Sequence, residues 1–282
     1  MLIDKDLKYQ MIIDRIKTVS NDSYGNDSTK TVEMVLKDII DLFKGKRIGF
    51  KKCDLKYHNI FHTLQTIPPF VEIIDGWNKS GNSPRISNKY FELGIIAVLL
   101  HDTGYIKEEY DNTGTGAKYT FIHIQRSIDF ADHYLHHAGF SEHDILIVQN
   151  VIRCTGVSFH PENMQFYSEE ERLIGYTLGT ADLLGQMSSP DYPRKLLFLF
   201  KEFEEAYNFE GREKLNSMGV KLFSNADELV RDAQYFYKEV AMNRFLKMGS
   251  MYKYVTYHFG TINNPYIEAI EENIRKTQAP SS

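Results

Sequence analysis

TVEMVLKDIIDLFKG, Thr31 to Gly45, decides the fold class. Its apolar residues Val32, Val35, Leu36, Ile39, Ile40 and Phe43 fall at i, i+3, i+4, i+7, i+8 and i+11, so a helix carries them as one stripe and Gly45 ends it. Phe121, Ile124, Ile128, Ala131 and Leu135 repeat the spacing up to Gly139. Ser141 then reads as the N-cap of a helix bearing Ile145, Val148, Val151 and Ile152. Strand-like alternation is nearly absent, and prolines are missing from Arg85 to His160 and from Arg194 to Asn264, where the long helices belong. Ser80–Pro84, Thr113–Ala117 and Ser188–Pro193 are the punctuating loops. The expectation is an all-α protein.

The rest of the chain agrees with a globular body. It has 282 residues, 42% hydrophobic and 25% charged, which excludes disorder and fibrous repeats. Thirty-three Lys and Arg against 38 Asp and Glu leave a net charge of −5, so extended nucleic acid and anionic membranes are poor partners. Two cysteines, Cys53 and Cys154, are too few for a disulfide framework. The start, MLIDKDLKYQ, lacks the apolar run of a secretory signal, and no stretch is long enough to span a membrane, so a cytoplasmic protein is expected. The tail from Thr277 to Ser282 reads as a frayed end. A soft boundary near Gly211 divides one domain, 1–282, into a core and a C-terminal helical part, 206–282. Amphipathic stretches such as Leu229–Phe245 there can cover the core or form a homodimer face.

Chemistry concentrates in three places. In Tyr57-His58-Asn59-Ile60-Phe61-His62 the two histidines stand at i, i+4, which predicts a shared helical face. In Leu99-Leu100-His101-Asp102-Thr103-Gly104-Tyr105 an apolar helix from Leu93 runs directly into His and Asp, and a carboxylate buried without a partner is too costly to be incidental. Asp182 lies inside the apolar run Ile174–Met187. Together they offer imidazoles and carboxylates, the donor types that suit a divalent cation.

Their order and spacing resemble the HD superfamily of metal-dependent phosphohydrolases over roughly residues 50–205, and the YHNxxH opening, Tyr57 to His62, is similar to that of cyclic-nucleotide phosphodiesterases. The resemblance implies an HD-type helical bundle with added N- and C-terminal helices, and a divalent ion (Mg, Mn, Fe, Zn, Co or Ni). His62, His101, Asp102 and Asp182 would be its ligands. His58 would be the proton donor to the leaving oxygen, and Asp102 the bridge if a second ion binds. The implied activity is hydrolysis of a phosphate ester or diester, with a nucleotide or cyclic nucleotide as the small-molecule substrate.

Two departures bear on a second ion. The position three after Asp102, His in the cyclic-nucleotide enzymes, is Tyr105 here, and Arg153-Cys154-Thr155 lacks a further His pair. His123 remains the candidate for a second metal or a phosphate. Asn59, Tyr105, Lys118, Arg126 and His160 are candidates for substrate contact, Asn59 either orienting His58 or capping a helix. Thr113–Ala117 is a candidate lid, with Lys118 and Lys107 as nearby cations. His133, His136 and His137 read as a solvated helix end. The competing readings are a di-iron oxygenase of the same superfamily and a non-catalytic metal-containing ligand-binding or signalling module.

Overall fold

The computed structural model describes residues 5–25, 29–156 and 160–278. The expected all-α architecture is what it shows: among these residues there is no strand, only an isolated bridge between Phe50 and Glu108. The helices are α1 (Lys5–Tyr24), α2 (Lys30–Phe43), α3 (Ile60–Gln65), α4 (Ile67–Lys79), α5 (Asn88–Leu100), α6 (His123–His137) and α7 (Glu142–Arg153). They continue with α8 (Glu169–Met187), α9 (Tyr192–Glu210), α10 (Arg212–Ser217), α11 (Ala226–Tyr235), α12 (Met242–Lys247), α13 (Val255–Phe259) and α14 (Pro265–Gln278). A π-helical turn, Phe236–Ala241, joins α11 to α12. No helix among the described residues is long and apolar enough to cross a membrane.

The central post is α5. Every residue from Leu93 to Leu100 is buried, the mark of a helix surrounded by others. It packs against α2, α4, α7 and α8. The stripe on α2 faces it as the periodicity requires, with Val32, Val35, Leu36, Ile39, Ile40 and Phe43 all buried. Ser141 caps α7 by accepting from the Asp144 amide. One expected boundary moves: α6 begins at His123, leaving Phe121 and Ile122 exposed in the turn before it. The reason is local, because the Thr120 hydroxyl and amide both bond the Ala117 carbonyl and close a 3₁₀ turn just ahead.

The main apolar core runs from Tyr9 on α1 to Ile274 on α14, with smaller clusters around Tyr105 and Phe200, so helices after Gly211 are built into the same body. Leu229, Ala233, Tyr237, Ala241 and Phe245, spaced by four, face inward. Asn273 donates to the Met187 and Ser189 carbonyls at the end of α8. The expected fraying does not begin at Thr277, which is buried in an α14 that continues to Gln278; 279–282 lie outside the described residues.

Candidate metal centre

Four elements converge at one end of α5. Asn59, not a longer helix, organises the first of them. Its side chain accepts from the Phe61 amide and donates to the Lys56 carbonyl, which makes it the N-cap of α3. The reading of His58 and His62 as one helical face is therefore corrected: His58 precedes the helix and His62 lies within it. The two still meet, with ring centroids 5.4 Å apart, because the capped turn folds His58 over α3.

His101 and Asp102 follow α5 directly. The Thr103–Tyr105 turn presses so closely on α6 that a Cβ on Gly104 would stand 2.0 Å from the His123 carbonyl oxygen. Ser127 of α6 locks the contact, accepting from the Gly104 amide at 2.9 Å and donating to the His101 carbonyl at 2.5 Å. Asp182 arrives on α8. That helix passes close to the α3–α4 junction, where a Cβ on Gly185 would lie 2.4 Å from the Gln65 carbonyl oxygen.

The result is a buried cluster. His62 Nε2 lies 3.3 Å from Asp102 Oδ2 and 3.4 Å from Asp182 Oδ1, and His101 Nε2 lies 3.4 and 3.7 Å from the same two oxygens. Ligands about 2.1 Å from a shared tetrahedral ion stand about 3.4 Å apart. The buried His62–His101–Asp102 group can bind a metal ion. Its polar atoms also ask for one. His101 Nδ1 donates to the Val98 carbonyl at 2.7 Å, so Nε2 is the atom turned to the two carboxylates, where it carries either a second proton or a metal ion. That atom, Asp102 Oδ2 and Asp182 Oδ1 are buried and have no hydrogen-bond partner. Lone pairs facing one another in a dry site repel unless a proton or metal ion sits among them. The protonation balance shows the same field: burial opposes charge on His101, yet Asp102 and Asp182 push its pKa up to about 9. Burial equally opposes charge on Asp182, and His101 and His62 hold it well below the carboxylate range.

Beside this cluster, Glu202 on α9 is a residue of the candidate site that sequence reasoning missed. Its carboxylate accepts from the Lys56 and Tyr57 amides at 3.0 and 2.7 Å and lies 2.7 Å from His58 Nδ1. Burial works against a charged His58, but the Glu202 bond and charge outweigh it and raise the pKa above the ordinary value. With Nδ1 held by Glu202, Nε2 is the atom left to exchange a proton. The signal for Glu202 was the one that revealed Asp182: an acid on a buried apolar stripe, here with Leu196, Phe200 and Ala206. Tyr57 is fixed in turn by a 2.6 Å bond from its hydroxyl to Gln186, one turn after Asp182.

Tyr105 is buried, with ring centroids 4.4 Å from His58 and 4.5 Å from His123. His123 Nδ1 donates to the Thr120 carbonyl, and burial lowers its pKa to about 4, so Nε2 presents a lone pair. Lys118 and Arg126 do not join the site as expected. Lys118 bonds Asp111 and Thr113 inside its own loop, and Arg126 bonds the Gly104 and Ile106 carbonyls while lying 3.8 Å over the Tyr119 ring. Thr113–Ala117 is pinned where a lid was expected: Glu205 accepts from the Thr115 amide and hydroxyl, and Asp54 from the Gly116 amide. His160 is half exposed and paired with Glu162, and Ser158 and Phe159 before it lie outside the described residues.

The family model described as Npun_R2479-like matches residues 4–264 of this chain. No curated protein matches it.

Proposed function

We propose that this chain, which belongs to the Npun_R2479-like family, is a metal-dependent phosphohydrolase acting on a small phosphate ester or diester. The observation that carries the reading is the set of unpartnered buried polar atoms on His101, Asp102 and Asp182 around His62, next to a histidine held by a buried glutamate. His62, His101, Asp102 and Asp182 would hold one divalent ion, and His123 is the candidate for a second ion or a phosphate oxygen. When bound, such an ion supplies Lewis-acid neutralisation of phosphoryl oxygens and makes water more acidic.

The chain's own residues do the rest. Glu202 keeps His58 oriented and favours its protonated form, so His58 can give a proton to the departing oxygen. Asn59 caps α3 and thereby sets the angle between His58 and His62. Tyr105, its phenol kept neutral by burial, backs the His58 ring. The two free cysteines support a reducing, cytoplasmic setting.

Elemental analysis of protein purified without added metal tests the reading, with Asp102→Ala as the comparison. Transition metal in the wild type and its loss in the variant, together with hydrolysis of phosphate esters by the metal-bound form alone, is the expected result. Failure of the wild type to bind any divalent ion, added Mg²⁺ or Mn²⁺ included, would return these residues to a structural role.

A further inference from the structure

We propose, building on the phosphohydrolase reading above, that Arg244 is the oxyanion receptor of this site and holds a phosphoryl oxygen of the substrate through its Nε edge. Arg244 is carried by α12 and reaches over the end of α7, where its terminal nitrogens donate to the Cys154 and Gly156 carbonyls at 2.6 and 2.7 Å. Those two residues fix its place beside the cluster. The Cys154 carbonyl presses on α8, where a Cβ on Gly179 would stand 2.5 Å from its oxygen, and Gly179 lies one turn before Asp182 on the same helical face. Gly156 is next to the start of α6: a Cβ on it would lie 3.8 Å from Ile124 Cγ1, and Ile124 follows His123. Arg244 therefore stands on the side of the cluster bounded by Asp182 and His123. Solvent reaches the cluster on the Asp182 side, since the Asp182 side chain is 15% exposed against 5% for His62, 4% for Asp102 and 2% for His101. The charge of Asp182 also reaches Arg244, favouring its cationic form against the burial that opposes it.

Capping the end of α7 does not account for the whole side chain. A guanidinium has more N–H groups than two carbonyls can take. Nε is buried and has no hydrogen-bond partner among the described residues. No carboxylate among them pairs with it, whereas Lys107, Lys118 and Arg126 have Asp54, Asp111 and Glu108 within 4.0 Å. A cation bonded to neutral oxygens alone, with one donor left dry, is unfavourable until an anion completes it. The Nε edge of a guanidinium is a planar fork that matches the oxygens of a phosphoryl group. An anionic substrate that enters on the Asp182 side meets that fork.

Calorimetric titration of inorganic phosphate into the full metal-loaded chain tests the assignment. The variants are Arg244→Met and Arg244→Lys, with elemental analysis confirming that each carries metal. Wild type should bind phosphate, and both variants should bind it about tenfold more weakly or worse, equivalent to about 1.4 kcal/mol, because methionine lacks the charge and lysine the fork. A cap alone would lower Tm in the variants and leave phosphate affinity as in the wild type; that result overturns the inference. Arg244→Lys keeps a cation over the α7 carbonyls and decides the matter should Arg244→Met not fold. Absence of phosphate binding by metal-bound wild type overturns the inference as well. Turnover of phosphate esters is measured alongside. Intact turnover with unchanged phosphate affinity in the variants removes this inference alone, whereas metal-bound wild type that hydrolyses no ester removes the phosphohydrolase reading and this inference with it.

Discussion

Gly104→Ala tests whether the tight seat of the Thr103–Tyr105 turn on α6 is what places Asp102. The added Cβ would lie 2.0 Å from the His123 carbonyl oxygen and 2.8 Å from the Ser127 nitrogen. Both are helix backbone atoms, which cannot rotate away as a side chain can. Turn and helix must separate by about 1 Å to reach ordinary contact. That movement strains the 2.9 Å bond from the Gly104 amide to Ser127 and the 2.5 Å bond from Ser127 to the His101 carbonyl. Two buried hydrogen bonds at about 1 kcal/mol each, with about 1–3 kcal/mol of overpacking, make about 3–5 kcal/mol. At about 2–3 °C per kcal/mol for a chain of this size, Tm should fall by about 6–15 °C. Asp102 sits two residues before the substituted position, so divalent-ion affinity should weaken as well. Thermal melts with and without added metal read both effects. A Tm within about 2 °C of wild type, with unchanged metal affinity, would refute the claim that this contact positions the ligand.

Other perturbations separate the roles of the site residues. His58→Ala should keep bound metal and lose turnover by about 10²–10⁴-fold; normal turnover would end its assignment as proton donor. Glu202→Gln removes the charge that raises the His58 pKa, so the protonated form should be lost at lower pH and the alkaline limb of kcat/KM should move down. An unmoved limb would mean Glu202 only holds the Lys56–Tyr57 backbone. Far from the site, bonds from His258, Lys79 and Ser23 overcome burial and hold Asp75 at a pKa of about 2. A folded pKa below the ordinary value of about 3.9 stabilises the protein above about pH 4, and this is lost as pH falls towards 2. Urea midpoints measured across that range should therefore drop in the wild type and drop less in Asp75→Asn, and parallel curves would count against the assignment.

The legible parts of the chain share a property: their evidence lies within a few residues. The stripe from Val32 to Phe43, the Ser141 cap and the buried run from Leu93 into His101-Asp102 each announce a helix or its end through spacing that the backbone itself imposes. The start of α6 was less legible, because the Thr120 bonds to the Ala117 carbonyl compete with a helix that apolar periodicity alone would begin at Phe121. The same competition set the place of His58: i, i+4 spacing suits a helix, but the Asn59 cap begins α3 after His58, not before it.

The site shows where local information runs out. Residue types chosen for a cation, His62, His101, Asp102 and Asp182, were readable one by one, and each is a polar group in an apolar setting that would be unfavourable without a partner. That their donor atoms stand 3.3–3.7 Å apart is a product of packing, decided by how closely α8 and α6 approach at Gly185 and Gly104. Which polar groups are spent was equally invisible beforehand. Lys118 and Arg126 have the charge a phosphate needs, yet carbonyl and carboxylate oxygens brought in by the folded loops take their donors first. Glu202 lies 144 residues from His58, and no periodicity links the two. Sequence by itself determined the helices, the buried stripe on each and the kinds of ligand on offer, because side-chain chemistry and helical geometry are local. Only the tertiary structure decided which of those groups face one another, because that depends on the summed approach of helices distant in the chain.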